Sequence, residues 1–207
     1  MKDSELDRLI KIYSLATEHK IVNDYPTSDH WKEYYNAETK KNFIDREKIK
    51  NFRFNHFLSH GCDDSHGIKA SFLDLYEFIK KYNIDDQFLT NNLPKINVGN
   101  NNSSYKFLNF YLDYAEINHL KWVMHFKNRI NKSDIKTTCE IGGGFGSLAR
   151  IILNNYDTKY ILIDLPEANL ISSYFLKKHF PDKKFYLYDN LLENLSFDDF
   201  NNYDIFV

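Results

Sequence analysis

The residues best able to do chemistry sit in one short segment. The chain has only seven glycines, and four of them, Gly142, Gly143, Gly144 and Gly146, fall within CEIGGGFGSLAR. An apolar run precedes this cluster and a helical pattern follows it. Glycine accepts positive φ and leaves no Cβ between the main chain and a ligand, so the cluster predicts a loop on which a ligand lies. A plain turn from strand to helix would need only one or two glycines. Glu140 stands two positions before the first of them, which gives Glu-x-Gly-x-Gly-x-Gly. Counted from Gly142, the third glycine of the dinucleotide fingerprint Gly-x-Gly-x-x-Gly would fall on Ser147, so that pattern is not met. A carboxylate at the position of Glu140 repels a pyrophosphate and attracts a cation.

A second acid extends the site. In KYILIDLPEAN the apolar run ends at Asp164, 24 residues after Glu140, where a carboxylate can accept hydrogen bonds from both hydroxyls of a ribose. Leu165 and Pro166 follow and would form an apolar shelf for the face of a purine. An Asp at a strand end reads equally well as a turn residue or helix cap when it stands alone; the neighbouring glycine loop gives it the ligand role. A cationic amine, a sulfonium, ribose hydroxyls and a purine on one molecule describe S-adenosylmethionine. Glu140, Gly142, Gly144, Gly146, Asp164 and Leu165 are therefore the candidate cofactor-binding residues.

These residues need a sheet to hold them. After Asn131 short apolar runs alternate with helical ones: strands are expected at Thr137–Ile141, Tyr160–Ile163, Phe185–Tyr188 and Tyr203–Val207, and helices at Ser147–Asn154 and Ala168–His179. That alternation predicts a parallel sheet flanked by helices, with ligands at the carboxyl ends of its strands. Before Asn131 the apolar spacing is helical. Leu6, Leu9, Ile10, Ile12, Tyr13, Leu15 and Ala16 make one face, Ala70–Tyr82 a second helix, and Tyr105–Ile130 a long third helix opened by Ser103 and Ser104. NNLPKINVGNNNSS between the last two reads as a loop. The expected class is α/β: a mainly helical substrate-binding or accessory region over residues 1–131, then a Rossmann-like sheet domain over 132–207.

Composition narrows the functions available. Lys+Arg 27 against Asp+Glu 29 gives a net charge of -2, without the basic excess or stripe of a nucleic-acid binder. No apolar stretch reaches the roughly 18 residues that span a bilayer, and the acids in MKDSELDRLIKIY do not suit a secretory leader. Two well-separated cysteines, Cys62 and Cys139, give no disulfide framework. A cytoplasmic location is expected. The 16% aromatic content accompanies abundant Asn, Lys and Ile, as an AT-rich coding sequence would produce, and is no argument for a stacking ligand.

CEIGGGFGSLARII followed by KYILIDLPE resembles the first motif and the ribose-binding strand of class I S-adenosylmethionine-dependent methyltransferases. The Asp-Leu-Pro step is similar to small-molecule O-methyltransferases. With PTSDHWKEYY and the Val98–Asn100 loop, the whole chain resembles the sugar O-methyltransferase family of bacterial surface-polysaccharide gene clusters. The resemblance implies methyl transfer from S-adenosylmethionine to a sugar hydroxyl, with a small-molecule or glycan acceptor; a homodimer through the helical region is a separate expectation, which no sequence motif fixes. The resemblance also implies that Glu140 meets the methionine end, that Gly142, Gly144 and Gly146 underlie the ligand, and that Asp189 in FYLYDNLLE holds the adenine amino group. The family's sheet has seven strands and this sequence supplies four, so an incomplete sheet is expected, with its fourth strand left as an open edge.

One other cluster has ligand-type residues: His56, His60, Cys62, Asp63, Asp64 and His66 in HFLSHGCDDSHG. It meets no standard zinc spacing, and no metal is expected there; the segment is read as a loop for substrate or packing. His119 and His125 read as ordinary surface or packing residues rather than a general base, and Asp198 and Asp199 as solvated loop acids. No catalytic base is assigned. Two other readings compete: a nicotinamide-dependent sugar-modifying enzyme, which would use the same strand, loop and ribose acid, and a non-catalytic helical interaction remnant.

Overall fold

The computed structural model describes residues 1–18, 44–53, 65–100, 105–107, 110–112, 114–127, 129–131, 134–191 and 199–207. PTSDHWKEYY, His56, His60, Cys62, Asp63, Asp64, Ser103, Ser104 and Asp198 lie outside them.

The front region is mainly helical. Helix α1 (Asp3–Glu18) buries Leu6, Leu9, Ile12, Tyr13 and Ala16 of the face its spacing predicts, whereas Ile10 is only partly buried and Leu15 is 45% exposed. A short α2 (Arg46–Lys50) starts at Asp45, whose carboxylate accepts the Glu47 and Lys48 N–H groups. Helix α3 (Ser65–Tyr82) begins five residues before the predicted Ala70, and α4 (Asp86–Asn92), capped by Asp85, takes in Asn91 and Asn92, the first two residues of the predicted loop. The long third helix is corrected. Residues Tyr105–Phe107 (β1) and Phe110–Leu112 (β2) form an antiparallel ribbon, and only Tyr114–Lys127 is helix, α5. Tyr105, Phe107, Phe110 and Tyr111 are strand formers, and there the preference of aromatic residues for a pleated surface prevails over an apparent helical period.

The back region follows the predicted alternation. Strand β3 (Thr137–Ile141) leads through the glycine loop into α6 (Ser147–Asn155), then β4 (Lys159–Ile163), α7 (Pro166–His179), β5 (Phe185–Tyr186), the short α8 (Tyr188–Leu191), a 3-10 turn (Asp199–Asn202) and β6 (Ile205–Phe206). The third strand is shorter than expected, because Tyr188 opens α8. The four strands form an all-parallel sheet in the order β3-β4-β6-β5.

The expected open edge is therefore in a different place. The fourth strand, β6, lies inside the sheet between β4 and β5, and the glycine-loop strand β3 is an edge. Local anchors put it there. The Lys159 ammonium at the start of β4 donates to the carbonyls of Phe200, Asn201 and Tyr203. On the other side, the Asp204 carboxylate accepts the Lys184 N–H at 2.8 Å. On the inner face of β3 and β4, Tyr160 and Leu162 are buried in the core and Thr138 and Glu140 partly buried, while Cys139, Ile141 and Ile163 on the other face are exposed, Ile141 by 82%.

One core runs through both regions, from Leu6 on α1 to Ile205 on β6. Helix α1 lies against α7 and α8, and α5 against α6. The Tyr13 hydroxyl shares a 2.9 Å hydrogen bond with Ser173 and donates to the Val207 carbonyl. Lys177 on α7 reaches Glu5 on α1 at 3.0 Å. Among the described residues, no helix is long and apolar enough to cross a membrane.

Candidate functional site

Strand β3 ends at Ile141, and the next residues turn sharply. Gly142, Gly144 and Gly146 have φ of 76°, 55° and 88°, values that cost a residue with a Cβ roughly 1–2 kcal/mol each. At Gly142 and Gly144 a Cβ would meet nothing within 4 Å, so their outer side is open to a ligand. Gly143 is different. Its backbone is ordinary, but a Cβ there would lie 2.8 Å from Leu162 and 3.0 Å from the Glu140 carboxylate. The loop thus rests on the second strand and on Glu140 from below. Gly146 is also the N-cap of α6 and offers that helix no side-chain cap.

The two predicted acids converge on this loop. Asp164 leaves the end of β4 and accepts the Gly144 N–H on Oδ2 and the Leu165 N–H on Oδ1, both at 2.8 Å. A carboxylate has about four acceptor positions, so two stay available to hydroxyl groups of a ligand. Burial raises the Asp164 carboxyl above its ordinary range, against the pull of these two backbone donors. Glu140 accepts the Tyr160 hydroxyl on Oε2 at 2.7 Å. Burial is the main cause that raises its carboxyl; the Tyr160 hydrogen bond opposes this, and the charge of Asp164 adds to it. Two desolvated carboxylates near one another favour a cationic partner.

Tyr160 is a site residue the motif reading missed. It is fully buried, and burial first, then the Glu140 charge, pushes its hydroxyl far above the ordinary phenol range. It is a standing donor to Glu140. Strand alternation carried the signal: Tyr160 and Leu162 share the inner face with Thr138 and Glu140.

The remaining predictions divide. Leu165 is partly buried and serves as N-cap of α7, with Pro166 in the first turn. Asp189 is the second residue of α8 and is tied to α1, with its Oδ2 accepting from Arg8 at 2.8 Å. All four strands are parallel, so Asp189 follows the same sheet edge as Glu140 and Asp164. Because β6 intervenes, its strand lies two spacings from β4, about 10 Å. Asp189 Oδ1 is buried without a hydrogen-bond partner. The exposed His125 ring lies against Phe78 and Tyr82, and the partly buried His119 against Trp122. His66 falls in the first turn of α3. Among the described residues no group of acids, histidines and cysteines could hold a metal ion.

Behind the loop lies a charged cluster that sequence reading also missed. Arg53 and Glu116 are buried together, with Nη2 to Oε1 at 3.0 Å and Nη1 to Oε2 at 3.4 Å. Arg150 on α6 approaches the same Oε1 at 3.7 Å and donates to the Asn92 carbonyl at 2.8 Å. The signal was a Glu on the buried stripe of α5 beside Ile117, Leu120, Val123 and Met124, where an acid requires a partner. The His179 ring lies tilted against Phe175, with ring centres 4.5 Å apart. Burial, aided by the charges of Arg150 and Arg53, lowers its imidazole to about 3.

No family model matches the chain, and no curated protein or solved structure matches it.

Proposed function

We propose that this chain binds S-adenosylmethionine on the glycine loop and belongs to an enzyme that methylates a hydroxyl group of a sugar in surface-polysaccharide synthesis. The observation that carries the reading is the conjunction at the ends of β3 and β4: three positive-φ glycines, Glu140 beneath them, and Asp164 hydrogen-bonded to the Gly144 N–H. The residues fit the group. The outer sides of Gly142 and Gly144 are open, Glu140 is a desolvated carboxylate suited to the amine of the methionine end, and Asp164 keeps acceptor positions for ribose hydroxyls. Leu165 and Pro166 offer an apolar surface beside Asp164.

When bound, the cofactor supplies an electrophilic methyl group on a sulfonium for in-line displacement. The chain's part is alignment and charge. Tyr160 keeps Glu140 in one orientation, and the Gly144 and Leu165 amides keep Asp164 in another. The direct test is transfer of a labelled methyl group to nucleotide-linked or lipid-linked sugars. Label in the sugar, absent with Asp164→Ala, supports the reading; label in no acceptor, with the cofactor unbound, opposes it.

A second reading keeps one observation in its favour. The N-terminus of α6 has no side-chain cap, and a pyrophosphate is well placed at such an end. A nicotinamide dinucleotide would use it, at the cost of lying beside Glu140.

A further inference from the structure

The Arg53–Glu116–Arg150 cluster is an expensive way to fill a core. Removing two guanidiniums and a carboxylate from water costs several kcal/mol per ion, and apolar residues of similar volume often serve stability as well. What the cluster touches suggests what it does. The Arg53 guanidinium lies 4.5 Å from the centre of the Phe145 ring, the one non-glycine side chain within the glycine loop. Phe145 is 4% exposed and is held edge-on by Phe175 at 5.2 Å, with Phe52 at 5.5 Å. Each neighbour of this stack comes from a different part of the chain. Arg53 follows α2, Glu116 is on α5, Arg150 is in the first turn of α6 directly behind the loop, and Phe175 is on α7. Arg53 is in turn fixed by its own N–H, which donates to the Gly99 carbonyl at 3.0 Å. Gly99, at φ +89°, lies so close to the Phe52 ring that a Cβ would overlap it.

We infer that Arg53, Glu116 and Arg150 form a positioning unit that sets the glycine loop through Phe145, so that the helical region governs the shape of the ligand cradle. A planar guanidinium fixed at both oxygens of Glu116 has one orientation over the ring, and Phe145 cannot shift without moving Gly144 and Gly146 on either side of it. The effect on the loop stands on these contacts alone; the effect on cofactor affinity rests on the reading proposed above.

The loop reports on itself. The amides of Gly142, Gly144 and Gly146 are each hydrogen-bonded, to Ile163 O, Asp164 Oδ2 and Gly143 O, so their hydrogen exchange measures loop order without any ligand. The variants are Arg53→Lys, which keeps the charge and loses the fork, and Glu116→Gln, compared with Leu75→Ala, a truncation of a buried core residue on α3. At matched global stability, set by temperature, Arg53→Lys should speed exchange at the three loop amides by roughly tenfold relative to Leu75→Ala. S-adenosylmethionine affinity should fall by a similar factor. Equal loop exchange in Arg53→Lys and Leu75→Ala would overturn the inference and leave the cluster as core filling. If Glu116→Gln does not fold, Arg53→Lys decides alone. Faster loop exchange in a protein that binds no S-adenosylmethionine would keep the positioning role and refute the proposed cofactor.

Discussion

Glu116 and Glu140 are both acids taken largely out of water, and the chain treats them in opposite ways. Glu116 is 1% exposed and is held at both oxygens by guanidinium groups from two other elements. Glu140 is only partly buried, accepts the hydroxyl of one phenol, and lies near Asp164 with no ion-pair partner among the described residues. Burial raises the Glu140 carboxyl, and the charge of Asp164 adds to it rather than relieving it. A carboxylate with its counter-charge built in serves the fold; on the function proposed above, a carboxylate beside an open glycine loop, held by a neutral donor, is the one that takes its charge from a ligand.

The contrast can be broken most sharply at Glu116. Glu116→Ala leaves two buried guanidiniums facing each other and should cost about 3–5 kcal/mol of unfolding free energy, read by urea denaturation. Next is Gly99→Ala, where positive φ and overlap with the Phe52 ring act together. About 3 kcal/mol is expected from the same measurement.

The pH profile comes third. His179 has its folded value lowered from 6.5 to about 3, so below 6.5 the unfolded chain takes up a proton that the folded one refuses, and stability falls as pH drops toward 3. At pH 5 the loss relative to neutral pH is about 2 kcal/mol, and His179→Phe should flatten this limb. Glu140 and Asp164 have the other sign: their folded values are raised, so their burial cost is relieved as pH falls through those values. They oppose His179 at the acid end.

At the small end, Tyr160→Phe should cost about 1 kcal/mol and raise the Glu140 carboxyl further, moving the pH at which a cationic ligand is released upward. Glu140→Gln should leave stability unchanged within about 0.5 kcal/mol or improve it, since it removes a desolvated charge. A loss as large as that of Glu116→Ala would erase the distinction between the two acids.

The parts of this molecule that were legible in sequence are the local ones. Positive φ at Gly142, Gly144 and Gly146 follows from glycine's freedom, and the strand before and helix after follow from short-range apolar patterns. The α1 stripe and the position of Asp164 at a strand end are of the same kind. What was not legible depends on pairing across distance. Nothing near Ile205 states that β6 will enter between β4 and β5; that is decided by Lys159 gathering the carbonyls of residues 200, 201 and 203, and by Asp204 meeting Lys184. The distance of Asp189 from the loop depends on the same choice. The β1–β2 ribbon was hidden because its aromatic residues also satisfy a helical period. Arg53, Glu116 and Arg150 lie 63 and 34 residues apart along the chain, and only the odd acid on the α5 stripe hinted that they meet.

The central claim is that the β3–β4 end is built for a cationic nucleoside and not for a dinucleotide. Calorimetric titration of the chain at pH 8 with S-adenosylmethionine, and in parallel with the nicotinamide dinucleotides, tests it most directly. The account predicts heat from S-adenosylmethionine alone, lost in Glu140→Gln and Asp164→Ala while both variants stay folded. Binding of a dinucleotide in its place, or S-adenosylmethionine binding that survives both substitutions, would contradict it.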